Sequence, residues 1–197
     1  MDQTPPTVTY IEPESAHPDL PETRISRAID RFILRLSDLV SWLWVLMIAV
    51  ITVNVVMRYV LGEGRIEFEE LQWHLYAIGF LVGLSSCYVL DGHVRVDVLY
   101  ERFSATTKAW IEFYGTLLFM LPFLIVIIWF AVPFVAYSFS IGEISEAPGG
   151  LPLRWAIKSV LLIAMVLLGL AVFARFTRVC ALLFGARRVS TVEQPAE

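Results

Sequence analysis

Thirty consecutive residues, Phe113 to Gly142, carry no formal charge. About 20 apolar residues at 1.5 Å each cross the ~30 Å hydrocarbon layer of a bilayer. A run of this length is therefore long enough to span, and must tilt, kink or project beyond the bilayer. Pro122 and Pro133 lie inside it as candidate kinks, because proline removes a backbone donor. Three more runs repeat the theme. Leu39–Met57 and Leu71–Leu90 hold no charged residue, and a fourth apolar stretch follows Trp155. Over 197 residues the chain is 57 % hydrophobic, with a mean hydropathy of +0.69. Gathered into runs, that excess predicts an all-α integral membrane protein.

Four membrane helices are expected, over about 39–61, 70–90, 110–139 and 155–176, within a membrane domain of 39–184. Trp42 and Trp44 suit an interface at the head of the first. Gly79 and Gly83 in the second sit at i, i+4, a spacing that allows close helix contact. Lys158 near the start of the fourth is placed to snorkel. Ahead of the first span, "RISRAIDRFILRLSDLV" sets Ile25, Ile29, Phe32 and Leu36 against Arg24, Arg27, Arg31 and Arg35. Residues 23–38 thus form an amphipathic helix with a basic face. It either lies on an anionic membrane surface or extends the first span outward. Residues 1–22 carry five prolines, five acids and no Lys or Arg. They are expected to be a disordered tail rather than a cleaved signal peptide. Residues 185–197 are expected to be a second tail.

Orientation follows from Lys and Arg in the short flanks. Eleven lie before the first span, between the second and third, and after the fourth; four (Arg58, Arg65, Arg154, Lys158) lie on the other side. Both termini and the 91–109 loop are expected in the cytoplasm, with acidic loops outside. The net charge of −4 and the absence of a basic, aromatic-interleaved patch exclude nucleic acid as a partner. Membrane lipid is the expected surroundings.

The chemistry-bearing residues are few. Cys87 and Cys180 form no C-x-x-C pair, so no metal or cofactor is expected. "DGHVRVDVLYERF" crowds His93, Arg95, Asp97, Tyr100 and Glu101 between two apolar runs. One histidine and no activated nucleophile make neither a metal site nor a catalytic one. The stretch reads as a corner re-entering the interface, with His93, Arg95 and Asp97 as structural or subunit contacts. Arg58, near the outer end of the first span, needs a counter-ion. Glu69 and Glu70, at the head of the second, are close in topology. Asn54, one turn earlier, is suited to bond across helices. Trp110, Trp129 and Trp155 are candidate interface anchors or subunit contacts. Neither inverted repeats nor a filter motif appears, so no transport path of its own is expected, nor an enzyme.

Taken in order, "NVVMRYVLG", "FEELQW", "GHVRVDVLYERFS", Pro122 and "GEISEAPGGLPLRWAIK" resemble the small membrane (Q, or DctQ-like) subunit of tripartite ATP-independent periplasmic (TRAP) transporters. The resemblance covers residues 30–178. It implies a bacterial inner-membrane complex with a large, roughly twelve-span elevator subunit and a periplasmic substrate-binding protein. It further implies sodium-driven uptake of an organic acid, with the last motif resembling the branch for 2-oxo acids. The small subunit would brace the scaffold. Glu143, Glu146, Gly149 and Gly150, in the second outer loop, would face the docking binding protein. The alternatives are a stand-alone membrane sensor or assembly factor, and a self-sufficient carrier or channel.

Overall fold

A computed structural model describes residues 20–93 and 103–185. Arg95 and Asp97, most of both tails, and residues 94–102 of the corner lie outside these. Four long helices make up the described chain: α1 (Arg24–Leu61), α2 (Ile66–Val89), α3 (Ala105–Ser140) and α4 (Arg154–Phe184). No strand occurs among the described residues.

Helix α1 opens on a capping box. The Thr23 hydroxyl accepts from the Ser26 amide at 3.0 Å, and the Ser26 hydroxyl accepts from the Thr23 amide at 3.2 Å. No Gly or Pro then intervenes before Gly62, so the basic amphipathic segment and the apolar run form one 38-residue helix. Its last turn, Met57–Leu61, widens to a π turn, and Gly62 at φ +72° ends it. Helix α3 is capped by Ser104, whose hydroxyl accepts from the Thr107 amide at 3.2 Å. It runs unbroken for 36 residues. A π turn at Thr116–Met120 directly precedes Pro122, where the regular hydrogen-bond ladder loses a donor. Pro133 stays within the helix.

Among the described residues, three helices (α1, α3 and α4) are long and apolar enough to cross a membrane. Helix α2 has 24 residues, but Glu67, Glu69 and Glu70 occupy its first two turns. Gln72, His74, Ser85 and Ser86 dilute the remainder.

Cross-helix contacts give the packing directions. Ser37 bonds Ser86 at 2.9 Å, and Trp44 meets Tyr76, so α1 and α2 are antiparallel. Phe113 stacks on Phe176, and Phe139 meets Trp155, so α3 and α4 are antiparallel. Helix α4 contacts the three others and contributes eight of the fifteen buried hydrophobic side chains among the described residues, from Ala164 to Val179. Leu124, Met165, Leu168 and Val172 form the core between α3 and α4, covered by Leu81 and Leu84 of α2. Small Gly79 lets the Trp44 ring lie against α2; a Cβ there would sit 3.0 Å from Trp44 Cζ2.

Candidate functional site

Charged side chains gather at the two ends of the bundle. At the end where α1 begins and α4 finishes, α4 places Arg175 and Arg178 one turn apart. Arg175 donates to both oxygens of Asp91, at 2.8 and 3.2 Å, and also pairs with Glu112. Arg178 donates to the Ser26 hydroxyl at 2.9 Å and pairs with Asp30. The charged partners of both arginines are largely shielded from solvent. One turn of α4 therefore ties down α1, α3 and the C-terminal end of α2. Asp91 reaches Arg175 from a left-handed backbone, φ +57°, which an aspartate tolerates better than bulkier residues do.

At the other end, Glu70 of α2 receives the Leu151 amide at 2.6 Å and the Ser145 hydroxyl, with Arg154 at 3.9 Å. Glu143 pairs with Lys158 and lies 3.8 Å from Arg154. The hydrogen bond from Lys158 holds the Glu143 carboxyl below the usual carboxylate range. The loop between α3 and α4 closes on itself through Ser145 N–H to Leu151 C=O (3.2 Å) and Arg154 N–H to Glu143 C=O (3.2 Å). Gly150 is required there, because a Cβ would fall 2.5 Å from that of Ser145. Lys158 also sits over the Phe134 ring at 4.3 Å.

Arg58 pairs with Glu69 at the mouth of α1 and α2. Of the two acids offered to it by topology, Glu70 turns instead to the α3–α4 loop. Asn54 is buried at 6 % exposure, and its Oδ1 has no hydrogen-bond partner among the described residues. His93 packs its ring 5.8 Å from that of Tyr88. Trp110 stacks on Tyr114 and meets Phe184; Trp155 meets Phe139; Trp129 is 74 % exposed on α3. Glu143, Gly149 and Gly150 belong to the self-bonded loop, Gly149 at φ +79°, whereas Glu146 is exposed.

The cluster of Asp30, Glu112, Asp91, Arg175 and Arg178 was not singled out from sequence as a site. Its only advance signal was the need of arginines near a membrane for counter-ions.

Comparison with protein families matches residues 47–182 to the family described as tripartite ATP-independent periplasmic transporters, DctQ component. The chain belongs to this family. Comparison with curated proteins and with solved structures yields no match. The matched span runs from within α1 to the last turn of α4, so both charge clusters lie largely inside the DctQ unit. A DctQ chain is a membrane component of a transporter, not of an enzyme family. The DctQ family works with two further components, DctM and DctP.

Proposed function

We propose that this chain is the small, non-moving subunit of an inner-membrane TRAP transporter. It braces a large elevator-type subunit during binding-protein-dependent, sodium-coupled uptake of an organic acid. The observation carrying this reading is the double tie between α2 and α4. Glu70 on α2 and Asp91 just past its end are 21 residues apart, as are Arg154 and Arg175 on α4, about 31 Å along α4 at 1.5 Å per residue. Polar ties thus sit about one hydrocarbon thickness apart, which supports α2 as a fourth span. All four helices then cross, with both termini and the 91–109 corner in the cytoplasm, as the Lys and Arg count favours. The basic start of α1, residues 23–38, continues the span outward at the cytoplasmic surface.

The ion pairs join helix to helix within the chain, which favours a structural over a substrate-handling role for Arg58. The outer loop, fixed by Glu70 and Glu143, offers Glu146 and Gly149 to the arriving binding protein. The test is uptake into proteoliposomes of a carboxylate panel with this chain, the large subunit and the binding protein. Sodium-dependent uptake requiring all three is expected. Uptake by this chain alone, or full uptake without it, would overturn the reading.

A further inference from the structure

A groove of about 390 Å³ opens where the first turns of α1 pass the end of α2. Arg27, Arg31, Leu34 and Arg35 of α1 line it, with Val89 and Leu90 opposite. Glu22, Asp30, Asp38 and Arg178 complete its charged lining. Four of these charges cancel in pairs. Arg27 pairs with Glu22 at 3.0 Å, and Arg178 pairs with Asp30. Arg31 and Arg35 are exposed and have no hydrogen-bond or ion-pair partner among the described residues. Only Asp38 stands against them, so the groove keeps a surplus of one positive charge.

Positions 24, 27, 31 and 35 recur every three or four residues, so four arginines share one face of α1. Like charges at this spacing destabilise a helix, and an anion between them relieves the strain. Two contacts fix the depth of Arg31 and Arg35. Ser37 of α1 meets Ser86 of α2, and Asp30 of α1 meets Arg178 of α4. Counted along the helices from either contact, the level of the Asp91–Arg175 tie falls near residue 33 of α1. Arg31 and Arg35 flank that level at about 3 Å each. This is the edge of the hydrocarbon layer, where lipid phosphates lie and basic side chains attract anionic lipid. Two guanidiniums one turn apart can grip a phosphate through several charge-assisted hydrogen bonds. Deeper on the same face, Trp42 and Val45 are 71 % and 58 % exposed, an apolar bed for an acyl chain. A soluble anion would use the arginines and leave that bed bare. A zwitterionic headgroup carries its own cation and leaves the surplus charge of the groove unanswered.

We propose that this groove holds the phosphate of one anionic phospholipid of the cytoplasmic leaflet, gripped by Arg31 and Arg35, with an acyl chain along Trp42 and Val45. The site rests on the orientation and the four crossings proposed above. The test is native mass spectrometry of the full chain, alone and co-purified with the large subunit. Mixed micelles are titrated with phosphatidylglycerol or with phosphatidylethanolamine. One phosphatidylglycerol retained per chain is expected, at concentrations well below those needed for phosphatidylethanolamine. Combining Arg31→Gln with Arg35→Gln should raise the phosphatidylglycerol concentration required at least about tenfold, the loss of charged hydrogen bonds. Arg65→Gln, which removes a charge outside the groove, should not raise it. Without added lipid the double variant should melt no lower than the parent, because like-charge repulsion is relieved. Equal retention of the two lipids, or retention untouched by the double variant, would overturn the site. So would displacement by millimolar inorganic phosphate, loss of the lipid when the large subunit is present, or a lower melt of the double variant. Orientation is tested separately with Arg24→Cys, in a chain also carrying Cys87→Ala and Cys180→Ala, using a membrane-impermeant maleimide. Labelling in inside-out vesicles alone is expected. Labelling in right-side-out vesicles would overturn the cytoplasmic placement, while the micelle titration still decides the phosphate site.

Discussion

Arg175 holds Asp91 through two hydrogen bonds, at 2.8 and 3.2 Å, across 84 residues of sequence. The same guanidinium pairs with Glu112, so one side chain joins α2, α3 and α4. Arg175→Leu strands two shielded carboxylates. Removing one partner of a buried pair costs about 3–5 kcal/mol, and the partial exposure here places the loss near the lower figure. Arg175→Lys should recover only part, since an ammonium cannot match the two-pronged geometry. Thermal unfolding of the purified chain in detergent checks both. A Leu variant as stable as the parent would remove the tie from the account.

Acid should loosen the α3–α4 loop through Glu143. Its carboxyl is held below the usual range by Lys158, so its contribution is fully present above the unfolded carboxylate value, about 4.3. The contribution is then lost as pH falls through the depressed folded value. Glu143→Gln should therefore lower the thermal midpoint at neutral pH, and the gap to the parent should shrink on acidification. A gap that is constant or widens toward low pH contradicts this sign.

Two glycines one helical turn apart on α2 should respond in opposite ways. Gly83→Ala adds a methyl where nothing lies within 4 Å and gains helix propensity, so the isolated chain should be unchanged or stabilised by about 0.5–1 kcal/mol. Gly79→Ala drives a Cβ to 3.0 Å from the Trp44 ring, and overpacking of this kind costs about 1–3 kcal/mol. Side-by-side melts, with Trp fluorescence as readout, separate them. Equal midpoints would show that the ring moves aside freely.

Glu146 allows a clean test of docking, because it is exposed while Glu143 is committed to Lys158 and Arg154. Glu146→Lys should leave the unfolding free energy within about 0.5 kcal/mol of the parent, as surface changes do. It should raise several-fold the concentration of binding protein needed for half-maximal uptake. Titration of binding protein against proteoliposomes measures it, and an unshifted titration argues against docking on this loop.

Helix identity was easy to read where charge was absent. Residues 110–139 were expected as a helix from the uncharged run, and α3 extends only a few residues beyond it, to Ala105 behind the Ser104 cap and to Ser140. The continuity of α1 across residue 38 was open, because amphipathic and apolar segments differ in composition, not in backbone preference. Arg58 with Glu69 was within reach because a four-residue loop brings them together. Arg175 with Asp91 and Glu70 with Leu151 were not. Periodicity assigns residues to faces of single helices, but not which faces adjoin across 80 residues of chain. Arginines counted for orientation, such as Arg175 and Arg178, carry no mark in sequence of the partners they find.

Both ties between α2 and α4 carry the same offset, Glu70 to Arg154 and Asp91 to Arg175, because the two helices run parallel. A slip of either helix by one turn, about 5.4 Å, would break both fastenings at once, at opposite ends. A single latch permits pivoting; two latches at equal offset forbid axial travel. The pair behaves as a ladder rail rather than a piston, its two rungs holding α2 and α4 in one axial register.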